Sequence, residues 1–201
     1  MQINQLDATS SQIKNVKQRF FALRNGVIAD ALRKNGSPYR IIFGLNLPQL
    51  QEIAEAFGYD MKLANDLWQN LSTRESRLLA PMLVDPEVFT IADAEEWIKN
   101  LTESTEDVDV LCHKLLRKTN FTDRLIERYK EDSTEIRRYL AIRLSLNTLS
   151  SFQQENKQIG EYKEIAEKEI RRGARLTKPV ATQLLDEIDF LLSSGENVAN
   201  P

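Results

Sequence analysis

Leu47-Pro48-Gln49-Leu50-Gln51-Glu52-Ile53-Ala54-Glu55-Ala56-Phe57-Gly58-Tyr59-Asp60-Met61-Lys62-Leu63-Ala64-Asn65-Asp66-Leu67-Trp68 reads as two helices and the turn between them. Leu50, Ile53, Ala54 and Phe57 recur at i, i+3, i+4 and i+7, which places them on one face of a helix. Pro48 suits the first helical position, where no amide hydrogen is needed, and Gly58 suits the stop. Asp60 can cap a second helix with Leu63, Leu67, Trp68 and Leu71 as its apolar face. Two helices on so short a link hide their stripes against each other. A chain built of such pairs is an all-α stack of antiparallel helices.

The same periodicity extends in both directions. Toward the N-terminus, Ile13, Val16 and Phe20 start one stripe, and Val27, Ile28, Ala31 and Leu32 form another. Asn25-Gly26 bends or breaks the helix between them, and Gly36-Ser37-Pro38 ends the section. Toward the C-terminus, Ser72 can cap a helix carrying Leu78, Leu79, Met82 and Leu83, kinked at Pro81 and ended by Asp85-Pro86. Thr90 begins the helix with Ala94, Trp97, Ile98 and Leu101. Val108, Leu111, Cys112 and Leu115 follow, then Leu125, Ile126 and Tyr129. A cap at Ser133 or Thr134 then precedes Ile136, Leu140 and Leu144. Residues 150–158 are polar and read as a loop or a frayed helix end. Tyr162, Ile165, Ala166 and Ile170 restart the pattern. Thr177-Lys178-Pro179 opens a last helix with Leu184, Leu185, Ile188, Leu191 and Leu192. About eight to ten helices result, and no segment alternates with a strand's period of two. Arg77-Leu78-Leu79-Ala80 is echoed by Arg138-Tyr139-Leu140-Ala141, which supports an internal repeat. Residues 1–192 read as a single helical-repeat domain and 193–201 as a frayed tail.

Composition narrows the class. Hydrophobic residues make up 41% of the 201 and charged residues 28%, which is globular rather than disordered. No apolar run reaches the roughly 20 residues that span a bilayer, and the N-terminus lacks a secretory pattern. One cysteine, Cys112, rules out an internal disulfide; together these features favour a reducing cytoplasm. The net charge of −3 is uneven: residues 1–40 carry +5, residues 41–116 carry −9 and residues 117–201 carry +1. Binding to nucleic acid would therefore use local basic patches.

Three stretches occur in a recognisable order: Phe43-Gly44-Leu45-Asn46-Leu47-Pro48, then Leu63-Ala64-Asn65-Asp66-Leu67-Trp68, then Arg74-Glu75-Ser76-Arg77-Leu78-Leu79-Ala80. Their order and spacing resemble the DNA alkylation repair family, the AlkD-like HEAT-repeat DNA glycosylases, over roughly residues 40–145. Trp97 and Asp109 continue the match. The resemblance implies HEAT-like repeats wound as an α-α superhelix, with a concave surface for duplex DNA. It also implies hydrolysis of the N-glycosidic bond of N3- and N7-alkylated purines. Such a purine already carries positive charge and leaves without a general acid. One carboxylate can stabilise the cationic sugar that remains. No metal or cofactor is needed.

In Thr105-Glu106-Asp107-Val108-Asp109 the resemblance aligns Asp109 with the family's catalytic carboxylate. Thr105 stands where the family has an aromatic residue, and no tryptophan follows Trp97. The carboxylate is thus retained without the aromatic cage. Tyr139 and Phe152 are alternative sources of an aromatic face. The resemblance places Arg137 and Arg138 near backbone phosphates. Lys14 and Lys17, with Arg19, Arg24, Arg33 and Lys34, form a second basic cluster. Against these readings, Asp109 can be an exposed acid among Glu103, Glu106 and Asp107, and Arg137 and Arg138 can be salt-bridged. His113, the only histidine, could pair with Asp109 but reads better as a surface side chain. Trp68 and Trp97 read as core anchors, Cys112 as a core residue, and Glu75 and Arg77 as links between helices. The expected function is that of a repair-like helical-repeat protein binding duplex DNA, with at most residual N-glycosylase activity. The alternative is a non-catalytic scaffold for another protein. No Cys/His cluster suggests a metal.

Overall fold

The computed structural model describes residues 2–149 and 156–196. Among them are eleven α-helices and no strand; the one β-bridge joins Ile41 to Thr73. The helices fall into two compact units, residues 1–100 and residues 101–201.

The first unit holds α1 (Gln2–Ala22), α2 (Gly26–Lys34), α3 (Leu47–Phe57), α4 (Met61–Trp68), α5 (Arg74–Leu79) and α6 (Ile91–Lys99). The caps follow the sequence. Asn25 accepts from the Ile28 amide and starts α2. Asn46 and Gln49 form a capping box on α3, with Pro48 one position later than expected. Asp60 accepts from Leu63 N at 2.9 Å on α4, and Thr90 and Asp93 box the start of α6. The α3 and α4 stripes are buried through Leu50, Ile53, Ala54, Leu63, Leu67 and Trp68, whereas Leu71 lies beyond α4 and is exposed. Val16 and Phe20 bury the inner face of α1, and Gln12 reaches Asp60 at 2.9 Å.

Three local expectations fail for identifiable reasons. The α5 helix starts after Thr73 rather than Ser72, because the Ser72 hydroxyl is held by Asn70 Oδ1 at 2.8 Å. Pro81 does more than kink the helix: the α-helical pattern stops at Leu79 and a 3-10 turn, Ala80–Leu83, follows. The α2 stripe is also rotated. Ala29 and Leu32 pack on Tyr39 and Ile42, while Val27 is 81% exposed and Ala31 faces solvent. Gly44 accompanies this rotation. Its φ is +81°, and a Cβ there would lie 2.2 Å from Asn25 O and 2.9 Å from Ala29 N. The 43–44 segment presses directly on the start of α2, and only glycine fits.

The motifs that carried the resemblance hold this unit together. Glu75 is fully buried. It accepts the amides of Phe43 and Gly44 at 3.0 and 2.9 Å and pairs with Arg74 at 3.0 Å. Trp68 and Trp97 stack at 4.7 Å with Phe89 edge-on. Arg77 lies over the Trp68 ring at 3.5 Å and donates to the carbonyls of Trp68 and Asn100.

The second unit holds α7 (Thr105–Lys114), a 3-10 turn (Leu116–Lys118), α8 (Thr122–Tyr129), α9 (Glu135–Leu149), α10 (Asn156–Arg172) and α11 (Thr177–Glu196). The α9 helix packs against α7, α8, α10 and α11. It is therefore buried nearly all round, from Ile136 to Leu149, where the sequence pattern showed only one stripe. Of the stretch 150–158, read as a loop or a frayed helix end, residues 150–155, Phe152 included, lie outside the described residues, and residues 156–158 belong to α10. The α11 helix continues to Glu196, into the segment read as tail; residues 197–201 lie outside the described residues.

Candidate nucleic-acid interface

Helix α7 presents Asp109 one position after the buried Val108, on the flank of its apolar stripe. Its side chain is 34% exposed. The Tyr139 hydroxyl on α9 donates to Oδ1 at 2.8 Å, and Arg143 Nε lies 3.0 Å from the same oxygen. Tyr139 and Arg143 are four residues apart on α9, hence on one face. Oδ2 accepts no hydrogen bond among the described residues. Burial raises the carboxyl above its ordinary range, against the lowering effects of Arg143 and the Tyr139 bond. Burial, then Asp109 itself, pushes the phenol of Tyr139 upward. The arrangement is a half-exposed carboxylate anchored through one oxygen.

Sequence reasoning missed Arg143. Its only signal was the i+4 spacing from Tyr139, which becomes informative once α9 is known to face α7. Tyr139 itself is 7% exposed. Its ring is packed and its hydroxyl engaged, so it offers no aromatic face to a base. Trp68 and Trp97 likewise serve as core anchors, as their stripes predicted.

The expected basic residues differ in their surroundings. Arg138 is 11% exposed and pairs with the buried Glu169 at 3.1 Å. It also donates to the carbonyls of Asp132 and Ser133 at 2.8 and 3.2 Å. Its guanidinium is engaged inside the fold. Arg137 stays more open, 3.7 Å from Asp132. Lys14 and Lys17 are exposed on α1, in the first unit. Cys112 is buried and its thiol is pushed well above its ordinary value by burial. His113 is exposed one turn beyond Asp109 and is not hydrogen-bonded to it. No cluster of three or more potential metal ligands occurs among the described residues, and no described helix is long and apolar enough to cross a membrane.

Short helices following one another in succession, with no strand among the described residues, define a HEAT-like helical-repeat protein. The same fold is found in a solved structure described as a new family of proteins related to the HEAT-like repeat DNA glycosylases with affinity for branched DNA structures. The two align with a TM-score of 0.77 at 18% identity, covering 87% of this chain and 74% of that one. The model of the DNA alkylation repair enzyme family matches residues 16–172, and the chain belongs to that family. No curated protein matches it.

Proposed function

We propose that the protein binds duplex DNA through the α7–α9 face of its second unit, with base excision through Asp109 reduced to a residual activity. The observation that carries this reading is Asp109 itself. It is half-exposed and anchored on one oxygen by Tyr139 and Arg143. A carboxylate so placed can stabilise the positive charge that develops on a deoxyribose as a cationic alkylpurine departs. The departing base needs no general acid, so no second titratable group is required. Two features limit the rate. Arg143 already neutralises part of the charge on Asp109. No described aromatic face stands beside it to attract a cationic base. The affinity of the structural relative for branched DNA, and the family itself, support a nucleic-acid ligand. Arg137 and Arg143 supply cationic contacts in the second unit, and Lys14 and Lys17 supply an exposed basic face on α1. Arg138 acts by positioning the start of α9.

The test is a duplex-DNA titration combined with an excision assay. The expected result is binding at low salt that weakens steeply as salt rises, with slow release of N7-methylguanine that Asp109→Asn abolishes. Absence of binding at low salt overturns the reading. The acidic stretch 41–116, with a net charge of −9, then favours a scaffold for a basic protein partner.

A further inference from the structure

The solvent side of α1 joins positive charge to an exposed ring. Between Asp7 and Asp30 the chain carries Lys14, Lys17, Arg19 and Arg24 and no acidic residue. Val16 and Phe20 take the buried face of the helix. Lys14, Lys17, Gln18 and Phe21, at i, i+3, i+4 and i+7, share a face turned away from it, and all four are exposed. With Ile13 they line a shallow groove of about 500 Å³. Phe21 is 58% exposed. The Arg24 guanidinium lies 3.9 Å over its ring and donates to the Phe21 carbonyl at 2.9 Å. Gln18 also lines a second groove, of about 480 Å³, between α1 and Phe57 at the end of α3. There Arg19 lies 5.6 Å over the Phe57 ring. A guanidinium thus rests on an aromatic ring at each groove.

Charge and shape together select among anionic ligands. Duplex DNA would engage Lys14 and Lys17, but it shows its bases only by their edges and has no use for an exposed ring. A lipid surface needs a continuous apolar face. Phe21 is the one large apolar side chain exposed among residues 11–22, and lysines and Gln18 stand around it. A strand with unpaired bases fits both features at once. Its phosphates meet the lysines, and the face of a base stacks on the ring and the guanidinium plane.

We propose that this face of α1 binds single-stranded DNA, with an unpaired base stacked on Phe21 and Arg24 and phosphates on Lys14 and Lys17. This rests on the DNA-binding reading for the class of ligand, and it adds a contact that paired DNA does not make. Lys14 and Phe21 are about two turns apart, roughly 10 Å along the axis. That distance is the span of a few nucleotides.

The test is a fluorescence-anisotropy titration of the full-length chain into a labelled oligothymidylate of about ten nucleotides. A strand of equal length without bases and a blunt duplex are titrated beside it. The parent is expected to bind the oligothymidylate more tightly than the strand without bases. Phe21→Ala is expected to weaken oligothymidylate binding about tenfold and to leave affinity for the blunt duplex unchanged. Phe21→Trp is expected to keep the binding, with its added indole quenched by the oligothymidylate; Trp68 and Trp97 are buried and stay silent. Lys14→Ala/Lys17→Ala is expected to flatten the slope of log affinity against log salt by about 1.4. Leu71→Ala, exposed elsewhere in the same unit, is expected to keep the parent affinity. If the parent binds the blunt duplex while Phe21→Ala binds the oligothymidylate as the parent does, the stacking site is overturned and the DNA-binding reading stands. If the parent binds neither DNA at low salt, both fall.

Discussion

Asp109 is pulled in two directions by its surroundings. Burial raises its carboxyl, and Arg143 with the Tyr139 hydroxyl lowers it; burial wins. The sign of the consequence follows from linkage. The folded chain holds the proton more readily than the unfolded chain, so this group favours the folded state at low pH. That advantage is lost as pH rises through the folded pKa. Asp109→Asn removes the charge and keeps an oxygen to accept from Tyr139. Thermal unfolding is expected to show the variant at least as stable as the parent at neutral pH, with any gain vanishing below about pH 4. A clear loss of stability at neutral pH would mark Asp109 as a structural ion-pair member. Its position was legible in the sequence because it sits in a recognisable segment at the edge of an apolar stripe. Arg143 and Tyr139 were not legible as its partners. A contact between helices thirty residues apart in sequence depends on how α9 is rotated, and no local pattern records that rotation.

Helix starts and stops were largely readable, because caps are local chemistry: Asn46, Asp60 and Thr90 each bond amides of their own first turn. Rotation about the helix axis was less readable. In α2 the stripe with the stronger hydrophobicity lost to the face that Gly44 brings against the chain. The repeat echo has a physical basis. Arg77 and Arg138 are each the fourth residue of their helix, α5 and α9. Each donates to backbone carbonyls at or just after the end of the preceding helix. The shared sequence thus encodes a shared device that ties the second helix of a pair to the first. Arg138→Ala is expected to lower unfolding stability by about 2–3 kcal/mol, since the buried Glu169 would lose one cation and keep Arg172. Because Arg138 is spent inside the fold, the salt slope of DNA binding is expected to stay at its parent value. A flattened slope with unchanged stability would return Arg138 to the interface.

For the chain as a whole, net charge is a poor guide to ligand. The total is −3 and the middle third is acidic, yet the second unit sets the cation of Arg143 on the half-exposed carboxylate of Asp109. The segments that identify the family are mainly those that build the fold: Phe43-Gly44 bonded to Glu75, and Trp68 stacked on Trp97 and covered by Arg77. That is why the fold was easier to read than the function. Packing constraints leave patterns along the chain, whereas a binding surface is assembled from side chains that no single segment holds. The most direct measurement is hydrogen–deuterium exchange of the full-length protein with and without duplex DNA. Slowed exchange over residues 105–118 and 139–143 is predicted. Slowed exchange confined to other segments, with those two unaffected, would contradict the placement of the DNA-binding face on α7 and α9.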